Sequence, residues 1–240
     1  MRIVEPSATL EHCTADPARV VERMGRKCYQ STHKIQPCRA CEGTSMGSGH
    51  SRDRIDKCFA CDGTGTDSAS AAAFTRMILA NGHESVLEHV SLGVSLVTDR
   101  GVTHELVRHR LAAFSQESTR YCDYASEKFG GEVSFVQPPF GDTEGIVRWC
   151  NAMEAAERTY QSMRRMDVPA QIARAVLPNS LKTEIGVTCN AREWRHVLRL
   201  RMSPKAHPQM RHLVKLAFPI LLGWYPVAFE EFQASADDCP

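Results

Sequence analysis

The sequence predicts a mixed α/β fold, and three observations carry that prediction. Val90, Leu92, Val94 and Leu96 alternate with Ser91, Gly93 and Ser95, the period of two expected of a half-buried strand. Residues 68–80, 144–165, 191–201 and 207–222 read as helices bounded by capping and breaking residues. Short turns of the kind that close β-hairpins are few.

Taken in order, residues 2–4 form a short strand. A helix over 16–26 follows, with Asp16 as its cap and Pro17 in its first turn. Asp67 or Ser68 caps the helix that ends at Asn81-Gly82. After the strand at 90–96, Val102, Leu106 and Val107 mark one side of a helix over 101–110. The polar run FSQESTRYCDY reads as a loop, and 132–136 as a strand halted by Pro138-Pro139. Helices over 144–165 and 169–177 are broken at Asp167-Val168-Pro169, and residues 182–188 alternate weakly as a strand. Helices over 191–201 and 207–222 are separated by Ser203-Pro204.

Composition excludes several classes. With 240 residues, 42% hydrophobic and 24% charged, the chain suits one domain, 1–240, carrying an insert at 35–67. No apolar run approaches the ~18 residues of a membrane span. The first residues lack the apolar core of a secretion signal, so the expected location is cytoplasmic. A net charge of +1 argues against a bulk polyelectrolyte such as nucleic acid as the main partner, though local clusters can bind phosphate.

Cys38, Cys41, Cys58 and Cys61 crowd the segment from Pro37 to Asp67, which is rich in Gly, Ser and charge and has almost no aliphatics. Two CxxC pairs separated by 16 residues match a structural zinc site, because each knuckle turns two thiolates to one side. A metal-free loop and a redox pair are the competing readings. CxxCDGTG resembles the CxxCxGxG units in the zinc domain of DnaJ-type chaperones, with Ser45 at the second glycine of the first unit. His50 reads as a solvated loop residue. Cys13, Cys28, Cys122, Cys150, Cys189 and Cys239 are scattered singly and read as small buried hydrophobes.

Two basic clusters carry the chemistry. Arg108-His109-Arg110 is followed by Ser118, Arg120 and Tyr121, a set able to surround phosphate oxygens with forked donors. Residues 190–215 hold seven basic residues against the single acid Glu193. Arg192, Arg195 and Arg199 fall on one helical face, with His196 beside them. A solvated basic face, a nucleic-acid patch and a nucleotide-phosphate site all fit that pattern. The run from His83 to His89 is dense in His and Glu but has no metal-ligand spacing, so polar cofactor contact is the better reading.

Arg108-His109-Arg110, seven residues and then Ser118-Thr119-Arg120 resemble the signature of flavin-dependent thymidylate synthases. The segments NGHESVLEH, ARAVLP and NAREWRHVLRLR resemble the family's other conserved blocks in the same order. The resemblance runs from about Gly25 to Leu222, leaving out 35–67. It implies a homotetramer with active sites between subunits that converts dUMP to dTMP, using FAD, NADPH as reductant and methylenetetrahydrofolate as carbon donor. It places Ser85, Glu88, Arg108, His109, Arg110, Asn190, Arg192 and His196 on FAD. Glu105, Arg108, Gln116, Ser118, Arg120 and Arg174 fall on dUMP, and Arg201 is the catalytic arginine against the uracil ring. Glu105 stands where many relatives have Gln, Ala113 and Gln116 where Ser and Glu are common, and Cys28 at a position near the flavin. The four-cysteine insert is foreign to the family pattern.

Overall fold

The computed structural model describes residues 1–45 and 57–237. His50 and Cys239 lie outside the described residues, as do positions 46–56 of the insert. In chain order the principal elements are β1 (Arg2–Ile3), β2 (Ser7–Cys13), α1 (Pro17–Lys27), α2 (Ser68–Ala80), β3 (Ser91–Asp99), α3 (Arg100–Leu106), β4 (Ala112–Gln116) and β5 (Ser134–Phe135). They continue as α4 (Thr143–Arg165), α5 (Ala170–Ala173), β6 (Lys182–Asn190), α6 (Ala191–Arg201), α7 (Pro208–Trp224), α8 (Pro226–Phe229) and α9 (Gln233–Asp237). The fold is mixed α/β, as the patterning predicts.

Two compact units divide these elements. The first comprises Met1–Glu11, Gly93–Cys189 and Val197–Pro219, and the second comprises His12–Leu92, Asn190–His196 and Ile220–Pro240.

The strands form a four-stranded sheet of order β2-β3-β6-β4 and a separate parallel pair, β1-β5. β4 and β6 are antiparallel, with Phe114 opposite Val187 and Gln116 opposite Ile185. On α4, Trp149, Met153 and Tyr160 recur at helical spacing and bury one face with Val133, Phe135 and Leu181. Each such side chain contributes roughly 1.5–3 kcal/mol on full burial. Asp142 caps the helix, its Oδ1 accepting from the Gly145 amide at 2.6 Å. Asp99 caps α3 in the same way, accepting from the Val102 amide at 2.8 Å. Its other oxygen accepts from Gln209 Nε2 at 2.6 Å.

In the second unit α1 packs on α2 at Gly25. A Cβ there would sit 2.6 Å from Phe74 Cζ, so the close approach requires glycine. Glu22 is buried in the same region and is satisfied by Arg26 Nε at 2.9 Å and Ser70 Oγ at 2.7 Å. Asp67 caps α2 through the Ala69 amide at 2.8 Å, and the Thr75 and Tyr225 hydroxyls meet at 2.8 Å.

The structure corrects several expectations. The helix expected to reach residue 110 ends at Leu106, and hydrogen bonds from the His109 and Ala112 amides close tight turns instead. Residues 112–116 are strand, so the loop expected from Phe114 begins only after Gln116. Their burial does alternate, but Ala, Ser and Gln give the alternation too little hydrophobic contrast to read. β2 was missed because it is almost wholly exposed and lies at the edge of the sheet. Asp16 precedes α1 in the left-handed region (φ 46°) and makes no side-chain cap. Its carboxylate meets Arg19 Nη1 at 3.3 Å instead. Of the five described scattered cysteines only Cys189 is buried, while Cys13 and Cys28 are exposed and Cys122 and Cys150 are intermediate. Arg195 does not lie on a solvated basic face. It is 2% exposed, bonds Glu231 at 2.8 Å and Glu84 at 3.3 Å, and donates to the Ala228 carbonyl.

Candidate active site

In the first unit, the end of α6 meets the end of α3. Arg201 donates from Nε to His109 Nε2 at 3.0 Å, from Nη1 to Glu105 Oε2 at 3.0 Å and from Nη2 to the Glu105 carbonyl at 3.0 Å. Among the described residues these bonds leave one N–H on each terminal nitrogen uncommitted, on a side chain 19% exposed. His109 is buried, and because its Nε2 accepts, that ring carries its proton on Nδ1. Arg108 and Arg110, on either side, are exposed. The early end of α3 turns alternate side chains, so that one residue of the Arg-His-Arg run anchors and two face out.

Beyond β4 the chain forms a tight turn. The Ser118 hydroxyl accepts from the Arg120 amide at 3.3 Å, and the exposed Arg120 guanidinium lies 5.4 Å from the Tyr121 ring centre. Arg174 donates to the buried Thr119 hydroxyl at 2.8 Å, which ties the segment after α5 to this turn. Gln116 spends its amide protons on Thr103 (2.9 Å) and Thr183 (3.1 Å), so only its carbonyl oxygen remains for a ligand. The structure therefore joins Glu105, His109 and Arg201 in one network and Ser118, Arg120 and Arg174 around one turn.

The second unit carries the other group. Ser85 and Glu88 are exposed on a 3-10 segment, Glu84–His89. Arg192, also exposed, bonds Glu88 through Nη1 at 2.6 Å. Asn190 caps α6, accepting from the Glu193 amide at 2.9 Å, which leaves its side-chain amide to donate outward. His196 is exposed one turn further along.

The four insert cysteines are buried together, with sulfurs paired at 3.9 Å (Cys38 and Cys58) and 3.7 Å (Cys41 and Cys61). Burial pushes the Cys58 thiol up to about 11. Burial acts the same way on Cys61, but the Gly65 amide and neighbouring thiols outweigh it and hold that group down to about 6.

Sequence reasoning missed several supporting residues. Thr103 and Thr183 orient Gln116, and Thr119 receives Arg174. Glu117 joins Tyr124 at 2.7 Å and Lys182 at 2.9 Å. Burial, reinforced by the Glu117 carboxylate, pushes the Tyr124 hydroxyl well above its ordinary value, so it stays a donor. No local pattern points to these residues, since most of them meet partners on other elements, as Gln116 of β4 meets Thr103 of α3 and Thr183 of β6.

The family model described as thymidylate synthase complementing protein matches residues 9–227. A flavin-dependent thymidylate synthase of Geobacter sulfurreducens is 35% identical over 170 residues, 68% of this chain and 70% of its own. One of Mycobacterium tuberculosis is 32% identical over 234 residues, 90% of this chain and 80% of its own. In fold, the chain is similar over its full length to a solved UMP/dUMP methylase of Streptomyces cacaoi bound with 5-Br dUMP, at 22% identity and a TM-score of 0.69. A match across nearly the whole chain, with relatives above 30% identity, places this protein in the flavin-dependent thymidylate synthase family.

Proposed function

We propose that the chain methylates dUMP to dTMP, replacing the C5–H of uracil by C5–CH3. Methylenetetrahydrofolate supplies the carbon, and NADPH supplies two electrons by way of FAD. The observation that carries this reading is the Arg201 guanidinium, held on three sides by His109 and Glu105 with two N–H groups left over. A cation fixed in that manner stabilises negative charge developing on the uracil ring without reorganising when the charge appears. Arg120, Arg174 and Ser118 suit the nucleotide phosphate, since two forked donors and a hydroxyl gather around one turn. Gln116 offers a fixed acceptor to a donor on the base or sugar, and Arg108 reaches both nucleotide and flavin.

The residues present fit FAD. Arg108, Arg110 and Arg192 are exposed guanidiniums suited to a pyrophosphate, and Arg192 is oriented by Glu88. In the second unit Asn190, Ser85 and His196 add neutral polar groups, and in the first unit the buried His109 is read as a further flavin residue. When bound, flavin supplies the hydride chemistry that side chains lack. The same reading makes the protein a homotetramer with active sites between subunits, and the exposure of Ser85, Glu88, Arg108, Arg110, Arg192 and His196 supports it. A chain with nine described cysteines and no disulfide among them suits the reducing cytoplasm, and no described helix is long and apolar enough to cross a membrane.

The test is dTMP formation from dUMP with methylenetetrahydrofolate, FAD and NADPH, each omitted in turn. Product that disappears without flavin supports the proposal. Folded, flavin-loaded protein that makes none overturns it. Salt-sensitive DNA binding without flavin would favour the nucleic-acid reading of the basic clusters.

A further inference from the structure

The proposed methylation site uses no residue of the insert, and the insert's geometry points to a separate site: Cys38, Cys41, Cys58 and Cys61 hold one structural Zn2+ as a closed four-thiolate centre. The two halves of the insert are built alike, 20 residues apart. Cys38, Cys41, Glu42, Gly43 and Thr44 correspond to Cys58, Cys61, Asp62, Gly63 and Thr64. Glu42 and Asp62 share φ 49°, and the following glycines lie at 83° and 72°. Thr44 and Thr64 each donate to the carbonyl of the second cysteine in their own pair, both at 2.7 Å. Two carboxylate-bearing residues in the left-handed region are a backbone cost that an unliganded loop has no reason to carry twice.

These twin knuckles interlock. The Cys38 amide donates to the Gly65 carbonyl at 2.8 Å, and the Cys58 amide to the Ser45 carbonyl at 3.1 Å. The result brings all four sulfurs within 4.8 Å of one another. Zinc–thiolate bonds of about 2.3 Å at tetrahedral angles put the sulfurs about 3.8 Å apart. The observed separations of 3.9 and 3.7 Å match that spacing, whereas a disulfide needs about 2.05 Å. The Gly65 amide also donates to Cys61 Sγ at 3.3 Å, the type of bond that orients a thiolate ligand.

The site explains how this stretch holds a shape. In the described part of the insert, side-chain burial is confined to the four cysteines. Such a segment has no hydrophobic reason to fold, so ligation must supply it. Arg19 of α1 then fastens the knuckle to its unit, donating to the Cys61 carbonyl and the Thr66 carbonyl, each at 3.3 Å. With all four positions taken by protein, the metal has no site for substrate and is structural.

The experiment is elemental analysis of the full-length protein, purified under reducing conditions without added metal or chelator. About one zinc per chain is expected. Replacement of that metal by Co2+ should give the absorption of a tetrahedral all-thiolate centre. Cys61→Ser should lower bound metal at least about tenfold, while Cys13→Ser, at an exposed cysteine remote in sequence, should leave it unchanged. The wild-type stoichiometry and the cobalt spectrum decide the matter even if Cys61→Ser fails to fold. Folded wild-type protein with iron in place of zinc, with no metal, or with the four cysteines as disulfides would overturn the inference.

Discussion

At the residue scale, the network around Arg201 makes two substitutions informative. Arg201→Ala removes the cation and should cut dTMP formation by about a hundredfold or more while leaving the melting temperature nearly unchanged. Near-normal turnover would remove Arg201 from its proposed role. Glu105→Ala should lower kcat about tenfold or more, because Arg201 loses the oxygen that fixes Nη1. Glu105→Gln keeps an acceptor oxygen at that place and should retain activity within about threefold. Equal loss in both variants would show that the carboxylate charge, rather than its acceptor geometry, is required. The sequence marked Glu105, His109 and Arg201 as site residues, but not that they touch. Glu105 lies in the last turn of a helix that the sequence pattern extends four residues too far, and His109 lies just beyond the true end.

At the scale of elements, the Asp123 carboxylate ties α4 to the loop after β4, beside the packing of Tyr124 on Tyr160. Asp123 accepts from Arg164 Nη2 at 2.7 Å and Nε at 3.0 Å, and from the Tyr160 hydroxyl at 3.1 Å. The Arg164 bonds hold the Asp123 carboxyl below its ordinary value. A carboxyl depressed in the folded state adds stability that is complete above its unfolded value of about 3.9 and is lost as pH falls through the folded value. Asp123→Asn should therefore cost about 1–3 kcal/mol at pH 7. The gap from wild type should close progressively below about pH 4, as urea denaturation across pH would read. A gap that stays constant down to pH 2 would contradict that account. The periodicity of α4 was legible because its apolar stripe is strong. The partner of Arg164 was not, since it lies 41 positions away on a segment with no periodic signal.

For the whole molecule, the exposure of Ser85, Glu88, Arg108, Arg110, Arg192 and His196 gives the proposed assembly a direct check. Light scattering should return about four times the chain mass of 26.7 kDa, and dilution to monomer should release flavin. A monomer that retains flavin would contradict the shared-site proposal. The amino-acid sequence by itself determined the fold class, the principal helices and the central strand, the zinc-type spacing of the insert and the identity of the family. Each of these is written in local periodicity, capping residues or short motifs, which act over one or two turns of chain. Tertiary structure alone decided which arginine is left exposed and which is spent inside. Arg192 and Arg195 are three residues apart on one helix, yet one is exposed and the other is buried against Glu84, Glu231 and the Ala228 carbonyl. Helical spacing assigns them a common face. Only Ala228 of α8, Glu231 of the 3-10 turn after it and Glu84 of the 3-10 segment Glu84–His89 give Arg195 the partners that let a charge leave water.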